Sequence, residues 1–317
     1  MAVFDGRDDF GEALATCEQS LAIYQALDEP FYGARLLELV GLWHLRLHRP
    51  ERGARLIRQG ADLRRLLGDK VGLAISLRSL GWITYCRGHF AEAESCWWEA
   101  YQLEHETRSR REIAYRHLGI AWLSLFNRGD FDTAQTIAEE LRTRSLEISS
   151  REWQRRAQIL FGFLAGMAED YAACRRLMRQ VAYQRRYTYN ISWMMMGLCL
   201  AACGLGEMQT AKEQLAQLLH MSLARRWPAV IAQCLPFAAI ITADAGEAER
   251  AVELLSLAFH HPRSPKGWLK KWPLLTRLQL ELKAALPADV FAVTWERGQA
   301  LDLEATAHAL LLPSRPG

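Results

Sequence analysis

Cys199 and Cys203 stand four residues apart, which places two thiols on one face of a helix, where they could share a metal ion. A tetrahedral zinc site needs two further ligands, and the adjacent sequence offers none. Both cysteines also fall where helices pack closely, so they read as core residues. His260 and His261 precede Pro262 in "FHHPRSP" and read as a surface turn. The glycines of "CGLGE" (203–207) follow a helix and not a strand, so they mark a turn and no phosphate cradle. No Gly-x-x-x-x-Gly-Lys-Ser/Thr motif occurs, nor a nucleophile elbow or Ser/His/Asp set. Paired carboxylates such as Glu139-Glu140 fall at exposed helix positions. The expectation is a chain that is not an enzyme and carries no cofactor or metal.

Binding chemistry remains. The formal net charge is +3, so no overall basic field selects nucleic acid or an anionic membrane. The basic residues are 33 Arg and only six Lys, and Arg suits anion contacts and aromatic stacking. The Arg pairs at 155–156, 175–176 and 185–186 interleave with Glu147, Glu152, Glu169 and Asp170 on successive helices. That pattern suits a solvated outer face better than a nucleic-acid track. Seven dispersed cysteines do not make a disulfide framework, which points to a reducing, cytoplasmic setting. No apolar run approaches the roughly eighteen residues of a membrane span, and no signal peptide opens the chain.

The elements that must position a binding surface recur at a fixed interval. "RGHFAEAESCWWEA" (87–100) returns as "RGDFDTAQTIAEEL" (128–141). Small residues mark the register at Ala13, Gly53, Ala93, Ala134, Cys174, Ala211 and Ala251, at intervals of 40, 40, 41, 40, 37 and 40. Three positions before each stands Phe10, Pro50, Phe90, Phe131, Tyr171, Met208 or Ala248, preceded by a turn rich in Gly, Asp and Asn. Between turns, apolar residues recur at three and four, as in "VGLAISLRSLGWITYC" (71–86), which is helical and not strand-like. A second small residue lies twelve positions before each marker: Gly41, Gly81, Gly162, Cys199 and Ala239. Ala121 takes this role if "FNRGD" carries one extra residue, which also accounts for the 41-residue interval. Each period is therefore an antiparallel helix pair touching at small residues. A lone pair cannot cover its apolar stripe, so the pairs must stack. The predicted fold is all-α, an α-solenoid of about seven to eight pairs.

These residues carry a family resemblance. Leu77, Leu80, Gly81, Ala93, Trp97 and Ala100 resemble the tetratricopeptide repeat pattern, as do Val40, Gly41, Gly53, Ile57 and Gly60. Phe161, Gly162, Cys174, Met178 and Val181 repeat it, while the sixth and seventh units put Cys199 and Ala239 in place of Gly. The period near 40 exceeds the usual one of about 34, so helices or turns are longer. The array is expected over 1–285, with capping helices and a tail over 286–317. Its first unit, "RDDFGEALATCEQSLAIYQAL", is a second helix without a first, so the chain is expected to be a piece of a longer protein. Phe291, Trp295, Gly298, Leu301, Leu303 and Glu304 are similar to the tail of bacterial STAND-class signalling ATPases and related transcription regulators. That resemblance implies an inducer-sensing array controlling NTPase and effector domains of its own full-length chain. The alternative is a general scaffold for protein partners.

In such arrays the first helix of each pair lines a concave groove. Helical spacing from the small residues then selects Arg35, Glu38, Arg78, Trp82, Tyr85, Tyr115, Trp122, Arg156, Phe163, Trp193 and Met196 as groove residues. Aromatic and Arg side chains suit a peptide, a protein segment or an anionic small molecule. Pro236, inside a predicted helix, should kink it.

Overall fold

The computed structural model describes residues 7–47, 49–107, 113–182 and 191–312. Among them are sixteen α-helices and no strand. An initial helix, α1 (Arg7–Ala26), precedes the pairs α2 (Pro30–Arg46) and α3 (Pro50–Leu66), and α4 (Lys70–Cys86) and α5 (Phe90–Thr107). The next pairs are α6 (Ile113–Trp122) and α7 (Phe131–Glu147), then α8 (Arg151–Met167) and α9 (Tyr171–Ala182). They are followed by α10 (Ile191–Gly204) and α11 (Met208–Ala224), and by α12 (Pro228–Asp244) and α13 (Ala248–His260). The last helices are α14 (Pro273–Ala285), α15 (Ala288–Gln299) and α16 (Leu303–Leu311).

Local chemistry explains these limits. Pro50, Phe90, Phe131, Tyr171, Met208 and Ala248 each open the second helix of a pair, as the register predicts. Proline begins α2, α3, α12 and α14, where its missing N–H costs nothing. Asp69, Asp130 and Asp302 cap α4, α7 and α16 by accepting from the N–H of Gly72, Thr133 and Ala305. Gly206, at φ 72°, supplies the left-handed residue that reverses the chain after α10.

The small residues work as close-approach points. A Cβ on Gly41 would lie 2.8 Å from the Gly53 carbonyl oxygen, and a Cβ on Gly53 would lie 2.7 Å from that of Gly41. Those helices therefore meet backbone to backbone. Ala93, Ala134, Cys174, Ala211 and Ala251 are all fully buried. The extra residue of the fourth unit is absorbed by a π-helical turn, Leu123–Arg128, that extends α6. Ala121 just before it is fully buried. The α12 helix runs through Pro236 as one element. The short 37-residue interval includes residues 183–190, which lie outside the described residues.

The chain divides into two compact units, with a boundary within α6. Unit 1 comprises residues 1–119 with 224–226, and unit 2 comprises 120–223 with 227–317. In unit 1, α1 to α5 pack each against the next. One apolar cluster joins Ile57 of α3, Leu73, Leu77 and Leu80 of α4, and Ala100 of α5. Each such side chain contributes about 1.5–3 kcal/mol when buried, and its cover comes from the neighbouring pair. In unit 2, α7 to α10 pack in succession and α12 packs on α13, with α15 against α13 and α16 against α12. Both units are thus all-α stacks of helix pairs.

Candidate functional site

In unit 1, helices α2 and α4 carry Arg35, Glu38, Arg78, Trp82 and Tyr85, and the structure separates them by depth. Glu38 is buried, and its carboxylate accepts from Arg64 Nη1 at 2.5 Å. Arg64, also buried, donates to the Gly72 carbonyl and to Ser76 Oγ at 2.7 Å each. Ser79 Oγ lies 3.4 Å from the second Glu38 oxygen. Arg78 pairs with Glu104, whose side chain is 1% exposed. These contacts clamp a first helix to the far end of its second helix, and Arg64 also ties α3 to α4. Charges withdrawn from water need such partners.

Trp82 and Tyr85 are buried as well, stacked with ring centroids 6.1 Å apart. Tyr85 packs on Phe90 and Trp97, and Trp97 Nε1 donates to the Arg78 carbonyl at 3.4 Å. Gly81 makes room for this arrangement, since a Cβ there would collide with the Trp97 ring. Glu38, Trp82 and Tyr85 are therefore interior residues rather than open groove walls, while Arg78 is half-buried on its pair with Glu104. The cause is their cover: the second helices contribute Arg64, Trp97 and Glu104 over the very face that helical spacing leaves open.

Among the described residues of unit 1, the first-helix face stays open along α2 and at the start of α4. Phe31, Arg35, Leu39 and Leu42 recur at three and four along α2, and all are exposed. Val71 on α4 repeats the Phe31 position and is also exposed, and the half-buried Ile75 repeats Arg35. Arg35 has no ion-pair partner among the described residues. The aromatic edge of this surface is ordered, with Tyr32 stacked on Tyr24 at 5.0 Å and Phe31 edge-on to Tyr32.

In unit 2, Trp122, Phe163, Trp193 and Met196 are all buried. Trp122 and Trp193 stack at 4.2 Å with an interplanar angle of 6°, and Phe126 and Phe163 close around them. Arg156 is also buried; it donates to Glu152 at 2.5 Å and lies over the Trp153 ring at 4.4 Å. It thus belongs neither to an open groove nor to a solvated outer face. Tyr115 lies outside the residues whose side chains are described.

Unit 2 covers its aromatic face with its own chain. The segment between α13 and α14 sends Trp268 and Trp272, both fully buried, against Phe126 and Phe237. The Trp268 N–H donates to the Phe126 carbonyl at 3.1 Å. Trp272 Nε1 donates to the Tyr171 hydroxyl at 3.3 Å. Gly129 and Gly267 let the two stretches meet: a Cβ on Gly129 would lie 2.6 Å from the Gly267 oxygen. "FHHPRSP" is thus more than a surface turn, since Ser264 and Pro265 are buried at the start of this segment.

Burial pushes the Cys199 thiol well above its usual pKa, and it holds Cys174 at about 12. Such thiols stay protonated and pack as small apolar groups. Among the described residues no group of three or more His, Cys, Asp or Glu could hold a metal ion. No described helix is long and apolar enough to cross a membrane.

The residues missed by sequence reasoning are Arg64, Glu104, Trp268 and Trp272. Arg64 and Glu104 could have been found, since they stand 40 apart and each lies 26 residues after its partner. Trp268 and Trp272 had only their aromatic character and spacing of four to announce them. No family model matches the chain, and no curated protein matches it.

Proposed function

We propose that this chain is a non-enzymatic recognition module that holds a partner segment on the open face of α2 and the start of α4. The observation that supports this reading is the contrast at Arg35. Glu38, Arg64, Arg78 and Arg156 are spent on internal pairs. Arg35 stands exposed without one, flanked by exposed Phe31, Leu39, Leu42 and Val71. An Arg among aromatic and aliphatic side chains is the composition of a binding hot spot. Its complement is a peptide segment with apolar anchors and one or more carboxylates.

The repeat resemblance extends the reading. The module would be the inducer-sensing array of a STAND-type signalling ATPase, acting on NTPase and effector domains of the same full-length protein. The inducer must then bind two conformations of the array with different affinity, since equal binding shifts nothing. Selection of a random peptide library on the chain, followed by photo-cross-linking, tests the assignment. Adducts should fall on Phe31–Leu42 and Val71–Ile75. Adducts confined to other faces would remove it.

A further inference from the structure

A second surface, in unit 2 and independent of the α2 face, has the chemistry of a small-molecule site. A cavity of about 920 Å³ opens between the end of α13, the segment that follows it, α14 and α15. That volume lies within the range of ligand pockets, about 300–1,000 Å³, and the cavity is half open to solvent. Its apolar lining is aromatic: Phe259, Phe291 and Trp295, each half-buried. Its basic lining is Lys266, Lys270 and Lys283, set against a single carboxylate, Glu296.

The aromatic floor is held in place. Phe291 stacks on Trp295 at 5.8 Å and 17°, while the His260 ring meets Trp295 edge-on at 5.6 Å. Ser256 Oγ donates to the Trp295 carbonyl at 2.6 Å, and the Ser256 carbonyl lies 2.9 Å from His260 Nδ1. A Cβ on Gly298 would lie 2.6 Å from the Glu253 carbonyl oxygen, so α15 sits tightly on α13. The ring faces are therefore preorganised.

The charge is distinctive. Arginines of this chain are repeatedly matched with carboxylates, as in the bridges of Arg52, Arg58, Arg65 and Arg87. None of the three cavity lysines has an ion-pair partner among the described residues. Lys266 Nζ donates to the His260 carbonyl at 3.3 Å, and Lys283 Nζ lies 5.7 Å from the Phe291 ring centroid. Four of the six lysines in the chain fall between residues 266 and 283. Compact, mobile ammonium groups around a rigid aromatic floor suit an anion carried on a flat ring.

We propose that this cavity binds a small planar aromatic molecule bearing a carboxylate, sulfonate or phosphate. The ring lies on Phe291 and Trp295, and the anion is met by Lys266, Lys270 and Lys283. The test uses 8-anilinonaphthalene-1-sulfonate with the full chain. The dye should bind at one saturable site with enhanced emission. Exchanging all three lysines for Gln should weaken it about tenfold or more, with the helical circular dichroism unchanged. Trp295→Ala should weaken it too, and the uncharged N-phenyl-1-naphthylamine should be insensitive to the lysine exchanges. Absence of saturable dye binding, or equal affinity in the lysine variant, would overturn the assignment. So would loss of dye binding in Arg35→Glu with the lysine variant unaffected, which would place the dye on α2.

Discussion

Glu104 neutralises Arg78 at the place where, forty residues earlier, Arg64 neutralises Glu38. The two repeats thus use the same pair of positions with the charges exchanged. What the architecture requires at these positions is opposite sign across a buried gap, and either order supplies it.

Removing one member should therefore cost more than exchanging both. Glu104→Gln removes the carboxylate that Arg78 pairs with and is expected to cost about 1–3 kcal/mol in urea unfolding. The double exchange Arg78→Glu with Glu104→Arg should recover most of that loss. A double variant no more stable than either single change would show that the repeat does not tolerate reversed polarity.

Two glycines should respond very differently to alanine. A Cβ on Gly267 would overlap the backbone nitrogen of Gly129, so Gly267→Ala must separate the loop from the π-helical turn. Gly206 has open space around its missing Cβ but sits at φ 72°, so Gly206→Ala costs only about 1–2 kcal/mol. Thermal denaturation should show the larger fall for Gly267→Ala, with near-ultraviolet signal lost from the tryptophan cluster.

The tryptophans of the α13–α14 segment should behave as core. Trp272→Ala removes a fully buried ring and is expected to cost about 3–5 kcal/mol. Trp98→Ala removes a side chain 44% exposed, and should stay within about 1 kcal/mol of the parent. Chemical denaturation of the two variants checks the contrast.

Stability should fall on mild acidification. His44 is fully buried 3.4 Å from Glu18, and burial first, then the charge of Arg52, lowers its pKa. The unfolded chain gains a proton below pH ~6.5 that the folded chain refuses, so stability present above that pH is lost as pH falls. The loss levels off once folded His44 also protonates. His261 titrates in the same sense, through burial and Arg263. Urea unfolding across this range should show a shallower slope in His44→Gln.

The register of this fold was legible in the sequence, and the depth of its residues was not. Small residues at a fixed interval located the helix contacts, and the single 41-residue interval located the extra residue now seen as a π-helical turn. Helical spacing also identified a common face for Arg35, Arg78 and Trp82. It could not say what covers that face. Leu42 and Trp82 occupy equivalent positions, yet Leu42 is exposed and Trp82 is 7% exposed, stacked on Tyr85. For Phe126 the cover is Trp268, far away along the chain and in a segment with no repeat register. Such long-range cover has no periodic signature. The cavity had a legible trace, the concentration of lysine between 266 and 283 in an arginine-rich chain.

The direct measurement of the recognition surface is the affinity of a library-selected peptide for the parent chain and for Arg35→Glu, by titration calorimetry. Arg35→Glu should weaken binding about tenfold or more while helicity is retained, and Lys270→Glu in the other unit should leave it unchanged. Equal affinity for the parent and Arg35→Glu would contradict the assignment of recognition to the open face of α2.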